Sequence, residues 1–329
     1  LTYTGTAQTL INAGSSSTGT IQYKLESGSY STSLPQATNA GTYKVYYKVI
    51  GDKNHFDVAE SSINVTIGKK ADTITLTAKT YTYDGNAKTA SLSATSGLTP
   101  SVTYYSEASC TTTVSGPTNA GVYYARATTI GNSNYSAGSL SCTKAITINK
   151  AENTLLLSSN SGTYTYPNSG TFTVTKNTSG GALSCTSSNT NVATCSVSGS
   201  TITVKPGTTK GTANITVTSA STTNYNSQTS THVATTEEGL LSVTASGYTG
   251  DYDSKEHGIV VTSSGSTIKY GTSEGTYNLD ESPRYTNVGT YTVYYQVTKP
   301  GYKTITGSKQ VIIKDLSAPS TPTITNPTN

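Results

Sequence analysis

Over residues 43–49 apolar and polar side chains alternate one by one. Tyr43, Val45, Tyr47 and Val49 fall on one side, Lys44, Tyr46 and Lys48 on the other. Residues 291–298 repeat the pattern, with Tyr291, Val293, Tyr295 and Val297 opposed by Thr292, Tyr294, Gln296 and Thr298. A period of two predicts a strand whose first set faces a core and whose second faces water. No segment sustains a helical period. Short alternating runs bounded by Gly, Asn, Ser and Pro, at intervals of about 8–12 residues, predict all-β sandwiches. Hairpin chemistry is visible at Asp84-Gly85, Glu26-Ser-Gly-Ser29 and Ser273-Glu-Gly275.

The phrase that opens these strands returns four times: Asn39-Ala-Gly-Thr-Tyr43, Asn119-Ala-Gly-Val-Tyr123, Lys210-Gly-Thr-Ala213 and Asn287-Val-Gly-Thr-Tyr291. Its glycines, Gly41, Gly121, Gly211 and Gly289, lie about 80–90 residues apart, the length of a small domain rather than a solenoid turn. An aromatic residue follows each glycine at a nearly constant distance, at Phe56, Tyr135, Tyr225 and Tyr302. The repeat predicts domains at 1–69, 70–150, 151–235 and 236–315, then a Pro/Thr-rich linker at 316–329. Repeat two has a strand-like lead-in at residues 72–79, whereas repeat one opens directly at Leu1-Thr-Tyr-Thr-Gly5, so its opening strand is expected to be absent and the chain to be a piece of a longer protein. The short connections at 68–71 and 149–152 predict domains stacked end to end in an extended rod.

Composition sharpens this picture. The chain is 33% hydrophobic and 12% charged, with 25 Tyr, two Phe and no Trp, so its cores must use rings with a polar tip. The net charge of +4 is dispersed, with no basic stripe, which argues against nucleic-acid binding. No apolar run approaches the length of a membrane-spanning helix. The cysteines fall as two local pairs, Cys110 with Cys142 and Cys185 with Cys195. An even count inside module boundaries favours one disulfide per module and an oxidising, extracellular setting over a zinc site, which needs closely spaced ligands.

The Asn-Ala-Gly-Thr-Tyr-Lys-Val phrase resembles the Asp-x-Gly-x-Tyr-x-Cys signature of strand F in immunoglobulin domains, with Asn39 for Asp and Val45 for Cys. The whole package, Tyr81-Thr-Tyr-Asp-Gly-Asn-Ala-Lys88, the Gly-Thr-Tyr phrase, an Asn-Tyr pair and a closing strand, looks like bacterial immunoglobulin-like repeats of surface proteins and adhesins. The resemblance implies tyrosine-corner roles for Tyr43, Tyr123 and Tyr291, each phenol tying a turn back to the backbone. Repeat three has Ala213 in place of that tyrosine and resembles the intimin- and invasin-type subtype. There the Cys185–Cys195 bridge is expected to hold the hairpin that the missing tyrosine does not support.

Candidate chemistry is sparse. Gly271-Thr-Ser-Glu-Gly275 matches the G-x-S-x-G elbow in letters, but that motif needs a strand-to-helix turn, so a hairpin turn is expected. His55, His232 and His257 lie in three different repeats, are expected in surface loops, and cannot assemble a catalytic triad inside one module. Asp251, Asp253 and Glu256 form the densest acidic cluster and a weak calcium candidate, short of a full oxygen shell; otherwise neither metal nor cofactor is expected. Tyr46, Tyr124 and Tyr294, on the outward rows, are candidate contacts for a glycan or protein. The expected function is therefore a non-enzymatic stalk or fibre segment of a bacterial cell-surface or secreted adhesin, whose partners include neighbouring domains of the same chain. The alternatives are a glycan- or protein-binding module using the tyrosine rows, and a fibre subunit completed by a strand from another chain.

Overall fold

The computed structural model describes residues 1–315 and 321–323; apart from those three exposed residues, the linker expected at 316–329 lies outside the described residues. The described chain is all-β and forms tandem immunoglobulin-like sandwiches. Its contacts gather into two units. One comprises Leu1–Ala151 with Thr223–Tyr225, the other Glu152–Thr222 with the residues from Asn226 onward.

In the first unit, Thr20–Leu25, Gly41–Ile50 and Val58–Ile67 form a three-stranded antiparallel sheet, faced by the short pair Gln8–Thr9 and Gln36–Ala37. The next sandwich sets the five-stranded sheet built around Gly121–Thr128 and Ser139–Asn149 against Ile74–Thr77 paired with Ser91–Ala94. In the second unit, two four-stranded sheets enclose the largest core, centred on Phe172, Ile202, Val204, Ile215 and Val217. The last sandwich packs the sheet of Thr267–Gly271, Gly289–Thr298 and Ile305–Lys314 against Thr244–Ser246 paired with Val260–Thr262. One pairing recurs in all four: an opening segment runs parallel to the closing strand, as Thr2 with Gly68, Lys79–Thr82 with Ser139–Asn149, Ser161–Thr165 with Gln228–Glu237, and Tyr248–Asp251 with Ile305–Lys314.

The alternation of the glycine-led strands places Val45, Ala125, Ile215 and Val293 in the cores, each fully buried. In the fourth sandwich Tyr295 and Val297 follow them inward. In the first, Tyr47 departs from its expected place and is 38% exposed. It borders an open cleft of about 690 Å³ lined by Leu10, Ile21, Tyr23, Val49 and Val65. In the other three sandwiches a strand lies across the corresponding face, Ile74–Thr77, Leu155–Leu157 or Thr244–Ser246, each paired antiparallel. With no such cover among the described residues, Tyr47 borders solvent, and the buried cluster of this sandwich reduces to Leu10, Val45 and Ile67.

Both cysteine pairs are bridged, with Cα atoms 6.0 Å apart for Cys110–Cys142 and 6.2 Å for Cys185–Cys195. The second bridge does not hold a hairpin, contrary to expectation. Cys185 lies on Leu183–Ser187 and Cys195 on Ala193–Ser198, which are edge strands of the two different sheets, so the bond staples the sandwich shut along one edge.

Candidate functional site: an asparagine and ring clamp

Three of the four repeated phrases build a corner. The Tyr43 hydroxyl donates to the Asn39 carbonyl at 2.6 Å, Tyr123 to Asn119 at 2.8 Å and Tyr291 to Asn287 at 3.2 Å. Each phenol spans the turn before its strand and holds the asparagine in one place. At Asn39 and Asn119 the side-chain carbonyl and the next amide form a paired acceptor and donor.

In the first unit a second asparagine reads that pair. Asn134 lies in a tight turn in which Asn132 Oδ1 accepts from the amides of Asn134 and Tyr135, both at 2.9 Å. Its Oδ1 accepts from the Ala40 amide at 2.8 Å and its Nδ2 donates to Asn39 Oδ1 at 3.1 Å. Tyr135 packs edge-on against Tyr3, with ring centroids 5.4 Å apart. The backbone closes the contact, since Lys70 donates to the Asn134 carbonyl and Ser136 donates to the Lys70 carbonyl. Asn224 repeats the geometry within the same unit: Oδ1 accepts from Ala120 at 2.8 Å, Nδ2 donates to Asn119 at 3.0 Å, and Tyr225 meets Tyr83 edge-on at 5.4 Å.

The second unit holds a variant between its two sandwiches. Tyr302 packs edge-on against Tyr166 at 5.3 Å, and Gly239 exchanges backbone hydrogen bonds with Gly301 and Lys303. The corner beneath has Thr209 where the others have asparagine, and the loop has Gly301 where the others have asparagine. Both amides are thus absent together. Gly301 has φ +82°, and a Cβ there would lie 2.6 Å from Tyr166 Cδ1, so the ring occupies the space an asparagine would need.

The expected ligand-contact tyrosines are not gathered into one site. Tyr46, Tyr124 and Tyr294 are half-buried, each on its own sandwich. Tyr46 lies beneath the Lys24 and Lys44 ammonium groups, 4.8 and 5.0 Å from its ring centroid. Lys24 also pairs with Glu60 at 2.9 Å, and Glu60 accepts from the Tyr30 hydroxyl. Those bonds hold the Glu60 carboxyl below its ordinary range and raise Lys24. The cations and rings of this face thus satisfy one another.

Asp251, Asp253 and Glu256 do not converge. Asp253 Oδ1 accepts from the Lys255 amide at 2.9 Å and bonds His257 Nε2 at 2.8 Å. No group of three His, Cys, Asp or Glu among the described residues is placed to hold a metal ion. Gly271–Gly275 leads from a strand into a turn closed by Thr276 donating to the Ser273 carbonyl. His55 and His257 sit in loops, paired with Asp52 and Asp253.

His232 overturns the surface-loop expectation. It is 1% exposed on strand Gln228–Glu237, stacked on Phe172 at 4.0 Å. Its Nδ1 donates to the Ser159 carbonyl and its Nε2 hydrogen-bonds the Tyr164 hydroxyl, both at 2.9 Å. Its signal in the sequence was parity, since His232, Ala234 and Thr236 alternate on one face and all three are buried.

No family model matches the chain and no curated protein matches it in sequence. Among solved structures it is similar to cadherin domains 3–6 of protocadherin gamma B2, at 10% identity, 91% of this chain, 93% of that one and a TM-score of 0.29. It is similar to EC1-4 of Drosophila N-cadherin, at 9% identity, 94% and 95% coverage and a TM-score of 0.27. The insect immune protein hemolin is similar at 12% identity, 95% and 96% coverage and a TM-score of 0.26.

Proposed function

We propose that the chain is a non-enzymatic stalk or fibre segment of an extracellular adhesin, of the bacterial cell-surface or secreted type, made of domains 1–69, 70–150, 151–235 and 236–315. The observation that carries this reading is the recurrence of the clamp. A hydrogen-bonded side chain, an edge-on ring pair and two backbone bonds are spent on joining sandwiches, which serves a spacer and has no use in beads on a loose string. Disulfides in two sandwiches suit an oxidising exterior. Small-angle scattering of the intact chain tests the stalk. A radius of gyration near that of a 329-residue globule, about 20 Å, would sink it, and a value well above that with the scattering of a rod supports it.

A second reading rests on the cleft of the first sandwich. Its apolar lining and uncovered position fit an extended strand with alternate apolar side chains, as in strand-complemented fibres. A synthetic peptide with the sequence of residues 71–78, which covers the same face in the second sandwich, tests it. Saturable binding that raises the melting temperature supports the reading, and no binding at millimolar peptide rejects it.

A further inference from the structure

The net charge is dispersed along the sequence but not evenly divided. Residues 1–151 hold eleven Lys and Arg against seven Asp and Glu, while the rest of the chain balances ten against ten. The excess of +4 therefore belongs to the first unit.

On the outward face of its first sheet the fold gathers three of those cations. Lys44, Tyr46 and Lys48 stand at every second position of strand Gly41–Ile50, and Lys24 lies directly across from Tyr46 on Thr20–Leu25. Two rings tie them together. The Lys24 ammonium is 4.8 Å from the Tyr46 centroid and 4.7 Å from that of Tyr30, Lys44 is 5.0 Å from Tyr46, and Lys48 is 4.4 Å from Tyr30. The Lys24 ammonium is thus within about 10 Å of each of the others, a Debye length at 0.1 M salt, so the three fields add.

The carboxylates beside them are already committed. Glu60 pairs with Lys24 and accepts from the Tyr30 hydroxyl, and Glu26 Oε1 accepts from the Lys44 amide at 2.7 Å. Among the described residues Lys44 and Lys48 form no ion pair. A ring orders an ammonium without cancelling its charge, so two positioned cations are left for an anion from outside.

The second sandwich repeats the arrangement on a smaller scale. Arg126 lies 5.7 Å over the Tyr105 ring, Lys144 stands across from Tyr124, and neither cation forms an ion pair among the described residues. The second unit does not. There the fourth sandwich pairs Lys269 with Asp280, and the third presents Thr212, Asn214, Thr216 and Thr218 on the outward side of its glycine-led strand.

We infer that the Lys24, Lys44 and Lys48 face binds an acidic polysaccharide, a sugar polymer bearing sulfate or carboxylate groups. Charge complementarity selects the anion, since Lys44 and Lys48 flank Tyr46 as fixed positive points. Exposed Ser62 and Asn64, directly across from Tyr46 and Lys44, offer hydrogen-bonding partners to sugar hydroxyls. A nucleic acid fits less well, because single strands stack their bases on bare aromatic faces, and these half-buried rings have ammonium groups over them. A rod and a globule could both carry such a face, so binding and the stalk reading are decided by separate measurements.

The test titrates the intact chain with a heparin oligosaccharide, as the sulfated probe, and an oligogalacturonate, as the carboxylated one, in 0.1 M salt. At least one should bind saturably and at least tenfold more weakly in 0.5 M salt, and the tighter of the two names the anionic group. Lys44→Gln with Lys48→Gln should weaken that binding at least tenfold. Lys176→Gln with Lys205→Gln removes the same charge from exposed positions of the third sandwich and should change it less than twofold. Unchanged melting temperatures show that the variants are folded. If the first pair melts early, Lys44→Gln alone, at an exposed position, replaces it with a loss of at least threefold expected. Binding of neither probe, equal losses from the two pairs of substitutions, or an oligothymidylate of equal charge bound as tightly overturns the inference.

Discussion

Asn134 grips the Ala40 amide and Asn39 side chain with both ends of one carboxamide, across 94 and 95 positions of sequence. Aspartate can still accept from the Ala40 amide but has no donor for Asn39, and alanine offers neither bond. Asn134→Ala should leave both sandwiches folded and loosen the junction by about 1–2 kcal/mol, the net worth of two such bonds. Hydrogen exchange at the Ala40 amide should accelerate roughly tenfold or more, as that loss converts to rate. Asn134→Asp, which keeps the acceptor for Ala40 and loses the donor to Asn39, should fall between the wild type and the alanine variant.

The corner phenols make a simpler case. Tyr123→Phe removes the donor to the Asn119 carbonyl while keeping the ring, so the second sandwich should lose about 1 kcal/mol. Asn119 also presents the side chain that Asn224 reads, so protection of the Ala120 amide should fall in the same variant. A change confined to melting temperature, with the Ala120 amide as well protected as before, would count against corner and clamp acting together.

Acid should act unevenly along the chain. Asp72 is 7% exposed, and burial works to raise its pKa. Hydrogen bonds from Ser96, Thr129 and Thr95 outweigh that effect and hold the carboxyl far below its ordinary range. A depressed folded pKa contributes stability above the unfolded value, about 3.9, which is lost progressively as pH falls through the folded one. Glu107, lowered to about 2 by hydrogen bonds from Ser106, Thr111 and the Thr112 amide, adds a contribution of the same sign in the same sandwich. The third sandwich has the neutral Asn153 in the corresponding buried place. Hydrogen exchange between pH 5 and pH 2 should show the second sandwich losing protection at this position and the third keeping it. Asp72→Asn should flatten part of that slope, leaving the part due to Glu107.

Reduction should also be uneven. The Cys110–Cys142 bridge closes a separation of 32 residues and Cys185–Cys195 one of 10. Chain entropy alone assigns them about 3.7 and about 2.7 kcal/mol. Urea melts with and without reductant should show the second sandwich losing at least as much as the third. The third sandwich should remain folded when reduced, because its core cluster is the largest of the four.

Much of this architecture is legible from alternation. The glycine-led strands Gly41–Ile50, Gly121–Thr128, Gly211–Ser219 and Gly289–Thr298 stand where the period of two places them, because each buries one face in its sandwich. Tyr47 fails the rule because exposure depends on what covers a face, and a strand cannot report whether another lies over it. His232 reads as polar and therefore exposed, yet its parity with Ala234 was the better guide, since a histidine satisfied at both nitrogens packs like an aromatic ring. The pairing of Cys185 with Cys195 follows from spacing, but not that their strands lie in different sheets. Asn134 and Tyr135 are conspicuous as a recurring pair in the sequence. Their partners are not, because a side-chain amide can read any exposed donor and acceptor, and only the fold brings Asn39 within reach.

Gly301 gives the order of the sandwiches a meaning of its own. With Tyr166 filling the space a side chain would need, the fourth sandwich is fitted to the third, and its loop brings no carboxamide to an asparagine corner. Moved behind a corner such as Asn119, it would keep its ring contact and leave that amide pair unread. Duplication can lengthen such a chain freely only where loop and corner come from the same type. A rearranged copy would carry intact domains and a slack joint, so the unit that recombination must preserve runs from the corner of one sandwich to the loop of the next.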